Sequence, residues 1–185
     1  MQSIISTDNI RLQQLEKEWY GHTVKTPVIY SFHTDGKYLY FHAEQPAAVS
    51  VPPYAEPHAF TPELWKFDTA EFFIAPAEGT RYMEFNLCPN GAWWCCVFSD
   101  KRCADTTVTP PQAETHATLT ENGWSATAVL KVSDLQALGI DLHHCRLAAA
   151  AILNSPDYVF LTTAEDQSGE PDFHRPDSWP LALLH

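Results

Sequence analysis

Positive charge is scarce in this chain: 11 Lys and Arg stand against 23 Asp and Glu in 185 residues, a formal net charge of −12. Nucleic-acid backbones are gripped by basic stripes, and none is present, so nucleic acid is not an expected partner. The same acidity argues against docking on an anionic membrane surface. No apolar stretch approaches the ~20 residues that span a bilayer, so no membrane helix is expected. Met1 to Ile10 lacks the basic start and apolar centre of a secretory leader, which predicts a cytoplasmic location. The five cysteines (Cys88, Cys95, Cys96, Cys103, Cys145) are odd in number and contain no CxxC pair. That pattern excludes a zinc ribbon and predicts reduced thiols. GxSxG, GxGxxG, P-loop and HExxH signatures are also missing, and with them the chemistries they serve.

What the chain has in quantity is rings: aromatic residues make up 12% of it, within 45% hydrophobic residues overall. Phe, Tyr and Trp favour pleated, half-buried surfaces, so the composition leans to β structure. The length suits one domain spanning residues 1–185, large enough to bury about 70% of its unfolded surface without a staple. Period-2 alternation places Tyr38, Tyr40 and His42 opposite Leu39, Phe41 and Ala43, and the Thr34-Asp35-Gly36-Lys37 turn predicts a hairpin with Val28–His33. Gln45–Pro62 holds five prolines and reads as a long loop, a common form of binding loop. Ala70–Ala75 and Arg81–Leu87 read as partners, the latter with Met83, Phe85 and Leu87 on a core face and Tyr82, Glu84 and Asn86 on a polar one. Further strands are expected at Ala92–Ser99, Thr115–Thr120, Gly123–Lys131, Arg146–Leu153 and Tyr158–Thr163. Ser133–Leu138 reads as a short helix with a Ser cap and a Gly139 stop. Asn9–Trp19 fits either helix or edge strand. Many short strands separated by turn signals predict a two-sheet sandwich.

Four pieces of the chain carry a resemblance. Leu64-Trp65-Lys66-Phe67-Asp68-Thr69-Ala70-Glu71-Phe72-Phe73-Ile74 comes first. Tyr82-Met83-Glu84-Phe85-Asn86, followed by Pro89-Asn90-Gly91-Ala92-Trp93, comes second, and Gly123-Trp124 third. Pro171-Asp172-Phe173-His174-Arg175-Pro176 leading to Trp179 closes the series. In order and spacing, over roughly Tyr38 to Leu184, they resemble the family 9 carbohydrate-binding modules and the wider DOMON-like sandwich group. The resemblance implies an all-β, antiparallel two-sheet sandwich of jelly-roll type with one short helix, and a non-catalytic domain that binds a small saccharide or glycan end.

In the sugar-binding members, a Trp at the position of Trp65, an acid at that of Glu71 and an amide at that of Asn86 contribute to the site. Glu84 stands where those members carry an arginine, which reverses the local charge and removes a five-donor group. The expected site is therefore Trp65, Glu71, Glu84 and Asn86. A second stacking ring is sought among Trp93, Trp94, Tyr158 and Trp179, with Trp94 and Tyr158 as the leading candidates. Trp93 and Trp94 are consecutive on a strand, so one faces the core and the other away. Trp124 is expected to be structural, and the adjacent His143 and His144 to be structural or solvated. Phe173 and His174 are expected to fasten the last loop to the sandwich.

No cofactor is expected. Related modules carry structural calcium, for which Asp68, Asp100, Asp105 and Asp172 are the available acids, though no EF-hand loop or dense Asp run exists. DOMON-type relatives bind haem, and Met83 with His174 or His144 is the only Met–His combination on offer. Glu71 and Glu84 are two acids on adjacent strands, the arrangement a retaining glycosidase uses, but such neighbours arise by chance in most sheets. A protein-interaction domain that has lost sugar binding is the remaining alternative.

Overall fold

This computed structural model describes residues 3–154 and 158–185, and chain punctuation divides them into short strands. The first four are β1 (Ser3–Ser6), β2 (Gln13–Lys17), β3 (Thr23–Thr34) and β4 (Tyr38–Gln45). The predicted turn joins β3 to β4: Asp35 Oδ1 accepts the backbone N–H groups of Lys37 and Tyr38 at 2.8 and 2.7 Å. The undecided Asn9–Trp19 stretch contains the strand β2, paired antiparallel with β3. A helix there would bring Leu12 and Leu15 onto one face, whereas in the strand Leu15 enters the core and Leu12 stays exposed.

After the Pro-rich loop come β5 (Thr69–Pro76), β6 (Tyr82–Leu87), β7 (Trp93–Asp100) and the two-residue β8 (Cys103–Ala104). The hairpin β9 (Ala113–Thr120) and β10 (Gly123–Lys131) follows, then the helix α1 (Val132–Ala137). Ser133 does not cap this helix. Lys131 occupies the cap position, and the Ser133 hydroxyl turns to Asp134 Oδ1 at 3.3 Å. The reason is local: β10 stays paired with β4 to its last residue, and the Val132 N–H is taken by Lys37 O at 3.0 Å, so the helix starts without a side-chain cap. Gly139 ends the helix as expected, at φ 81°. The chain closes with β11 (Cys145–Leu153), β12 (Val159–Thr162) and β13 (Ala182–Leu184).

Two sheets result. The first runs β13-β1-β3-β4-β10-β9, with β2 beside the first half of β3, and the second runs β12-β11-β5-β6-β7-β8. Antiparallel pairing dominates, with one departure from expectation: β1 pairs parallel with both β3 and β13. The facing sides interdigitate through rings. Phe32 and Phe41 of the first sheet lie 5.7 and 5.1 Å from Phe72 of the second, and Phe72 stacks on Phe85 at 5.2 Å. Trp93 continues that stack at 5.8 Å from Phe85. Aromatic packing of this kind adds ~0.5–1.5 kcal/mol per pair to the burial of the rings themselves. Trp124 is buried in the same core, as expected. Among the described residues no helix is long and apolar enough to cross a membrane.

Candidate functional site

The site lies on the outer face of the second sheet. Strand register puts Glu71 and Phe73 of β5 beside Asn86 and Glu84 of β6, and these beside Trp94 and Cys96 of β7. Alternation alone makes this the polar, solvent-facing side. Instead every residue of β6 is buried, on both faces. The cause is residues 165–179, which cross the outer face and set Phe173 and Trp179 against Phe73, Tyr82, Phe98 and Trp19. Trp179 Nε1–H donates to Phe173 O at 3.1 Å, and Arg146 Nη1 donates to Trp179 O at 2.8 Å, so the crossing segment is tied to itself and to β11.

What this segment leaves open is a cleft of about 500 Å³ lined by Trp65, Glu71, Phe73, Glu84, Trp94, Phe98, Arg102, Ile152, Tyr158, Phe160, Pro171, Phe173 and His174. Trp65 belongs to a single 3-10 turn, Leu64–Lys66, rather than to an open loop. Leu64 is fully buried and anchors that turn, so the adjacent Trp65 is turned outward and is 48% exposed. Asp68 holds the base of the turn: its Oδ2 accepts the Ser50 N–H at 2.6 Å and its Oδ1 the Asn154 N–H. The loop before it is docked on β7 through Thr61 N–H to Trp93 O at 2.8 Å and Trp93 N–H to Ala59 O at 3.0 Å. Gly91 permits this docking, because a Cβ there would lie 2.5 Å from the His58 ring and the residue sits at φ +85°.

The floor is acidic. Glu71 is 1% exposed, and its Oε1 meets no hydrogen-bond partner. Burial drives its pKa well above the usual carboxylate range, and the nearby Glu84 charge pushes the same way. Burial likewise raises Glu84 to about 7, against the opposing pull of the neighbouring Asn86 amide and Arg102. His174 is lowered to about 4, first by burial and then by Arg102. It is therefore neutral at pH 7. Its Nδ1 lies 2.7 Å from the Tyr82 hydroxyl, which also accepts the Arg102 N–H at 3.0 Å. With Nδ1 accepting from Tyr82, the remaining proton sits on Nε2, 3.6 Å from Glu84 Oε2.

The structure thus brings together Trp65, Glu71 and Glu84, and adds both Trp94 and Tyr158 to the same walls. Asn86 is fully buried beside Glu84 and does not line the cleft. Glu71 and Trp94 flank it in register, and neither its Oδ1 nor its Nδ2 meets a protein partner. Trp93 and Trp179 are buried in the two apolar clusters and offer no stacking face. Sequence reasoning missed Phe73 and Phe98, and gave His174 a fastening role or, in the haem alternative, an axial one. It also missed Arg102, which the turn between β7 and β8 delivers at φ 56°. Arg102 restores to the cleft the guanidinium that Glu84 had displaced, although its Nη2 is held by Asp172 Oδ1 at 2.8 Å.

Metal and haem ligands do not assemble. Among the described residues no group of three or more His, Cys, Asp or Glu is placed to hold a metal ion. Asp100, Asp105 and Asp172 are engaged by the Lys101 N–H, by Arg81 and by Lys101 with Arg102, respectively. Met83 is fully buried between the sheets while His174 lies on the opposite face of the second sheet, so the two do not converge on one iron. His144 is exposed on the turn before β11. The cysteines are all free, and burial raises the thiols of Cys88, Cys95 and Cys145.

No protein-family model and no curated protein matches this sequence. Solved structures do. A candidate carbohydrate-binding protein from Bacteroides uniformis superposes with a TM-score of 0.73 at 17% identity, covering 95% of this chain and 87% of that one. A family 9 carbohydrate-binding module from Caldicellulosiruptor kristjanssonii, in complex with cellotriose, gives 0.64 at 12% identity over 100% of this chain and 93% of the module. The glucose complex of such a module from the same organism gives 0.62 at 13% identity, over 100% and 96%. At these identities the likeness establishes architecture, and the chain has the fold of the family 9 carbohydrate-binding modules.

Proposed function

We propose that the chain binds a small saccharide or glycan end in the cleft on the outer face of the second sheet. The observation that carries this reading is the pairing of a half-exposed Trp65 with a buried Glu71 whose Oε1 has no protein partner. A sugar has both complements: an axial C–H face for an indole and hydroxyls for a carboxyl. Tyr158, 62% exposed, and Trp94 supply further ring surface across the cleft. The similar fold of modules seen with glucose and cellotriose supports the same reading.

The same reading is one of binding without turnover, and the acids support it. Hydrolysis by two carboxyls needs environments that push their pKa values apart, one acid neutral and the other ionised. Here burial raises Glu71 and Glu84 in the same direction. Raised carboxyls serve better as hydrogen-bond donors and acceptors to hydroxyls than as a nucleophile. A glycan array identifies the ligand, and calorimetry with Trp65→Ala tests the site. Affinity for that ligand should fall about 5- to 150-fold, the loss of roughly 1–3 kcal/mol of ring stacking. Unchanged affinity in a folded Trp65→Ala protein, or hydrolysis of aryl glycosides that depends on Glu71, would reject the assignment.

A further inference from the structure

Glu71 lines the cleft, is 1% exposed, and carries an Oε1 that no protein donor reaches. Glu84, on the next strand and 6% exposed, brings a second carboxyl to the same floor. The cations nearby are spent elsewhere. Arg102 Nη2 and Lys101 Nζ both lie 2.8 Å from the Asp172 carboxylate, at the rim. The His174 Nε2, at 3.6 Å from Glu84 Oε2, is beyond ordinary hydrogen-bond length. The walls above the acids are aromatic, with Phe73, Trp94 and Phe98 among them, and ring faces attract a cation.

We propose that this cleft selects a saccharide end bearing a protonated amine, with the ammonium between Glu71 and Glu84 and the sugar ring against Trp65. An ammonium brings three donors and a positive charge, so it favours the ionised form of both carboxyls and gives them charge-assisted bonds. A hydroxyl in the same place gives neutral bonds only. N-acetylation removes the charge and the selectivity with it. The proposal rests on the saccharide reading above and narrows it to amino sugars.

Calorimetric titration of the full chain at pH 7 with glucosamine, glucose and N-acetylglucosamine tests it. Glucosamine should bind at least about tenfold more tightly than either of the others, a difference of about 1.4 kcal/mol. Glu71→Gln and Glu84→Gln, each checked for folding by thermal melting, should reduce that ratio to about threefold or less. A ratio that survives both substitutions overturns the proposal. Glucose binding as tightly as glucosamine, with both lost in Trp65→Ala, also overturns it and leaves the saccharide reading intact, as does a glycan array that captures neutral glycans alone. No binding by any of the three sugars, together with a silent array, overturns both.

Discussion

On its inner side the second sheet presents Phe72, Met83, Phe85 and Leu87 to the first sheet; on its outer side the same two strands carry Glu71, Phe73, Tyr82 and Glu84 beneath residues 165–179. Both sides are buried, yet they differ in what buries them. A facing sheet covers its neighbour continuously and tolerates only apolar groups, since each unpaired polar atom there would lose its water without replacement. A crossing segment covers in patches, and one patch is left open over Glu71 and Glu84. Burial by itself therefore does not separate scaffold from site. The nature of the covering element does.

Paired truncations put this contrast to the sharpest test. Phe85→Ala leaves a sealed cavity between the sheets and should cost about 3–5 kcal/mol in urea unfolding. Phe73→Ala removes an equally buried ring that borders the cleft. Its loss enlarges a space already open to water, so it should cost nearer 2 kcal/mol, the transfer value alone. Equal losses would mean that the outer face is packed as a second core.

Trp65→Ala separates the faces in the other direction: it should weaken saccharide binding about 5- to 150-fold while leaving the urea midpoint essentially where it was. A smaller effect comes from protons. Glu71 and Glu84 have raised pKa values when folded, so the folded state holds more protons than the unfolded one, and the stability they confer below their unfolded pKa disappears as pH rises, for Glu84 through about 7. His174, lowered to about 4, acts oppositely below about pH 6.5, where the unfolded imidazole titrates. Tyr82 and Cys96, the other ionisable groups facing these acids, are raised to about 12 and about 11 and stay protonated throughout. As pH rises through about 7 the ionisation of Glu84 should therefore lower stability on the order of 1 kcal/mol, with the buried thiols adding to the fall above about pH 8. Denaturant melts of the Glu71→Gln/Glu84→Gln double variant should lose the fall centred near pH 7. Least of all, Arg102→Ala should lower stability by under about 1 kcal/mol, because its ion pair with Asp172 is half solvated.

Much of the scaffold was legible in the sequence because period-2 alternation and turn chemistry are local signals. The β3–β4 and β9–β10 hairpins, the core face of β6 and the split between Trp93 and Trp94 all follow from residues within one or two turns of each other. Trp65, Glu71 and Glu84 were legible through the resemblance rather than through any pattern of their own. Arg102, Phe98 and the site role of His174 were not, since each depends on where residues 165–179 cross the sheet. Tyr82 and His174 are 92 positions apart in sequence, and no local rule anticipates that contact. For Asn86, alternation gives the correct face but not the burial that keeps it from lining the cleft.

The parallel pairing of β13 with β1 bears on the roof of the cleft. Residues 165–179 form that roof, and β13, shortly after them, hydrogen-bonds to β1. The roof is therefore strapped twice, to β11 through Arg146 and Trp179 and to the opposite sheet through β13, so a shift of either sheet against the other would pull on the lining of the cleft.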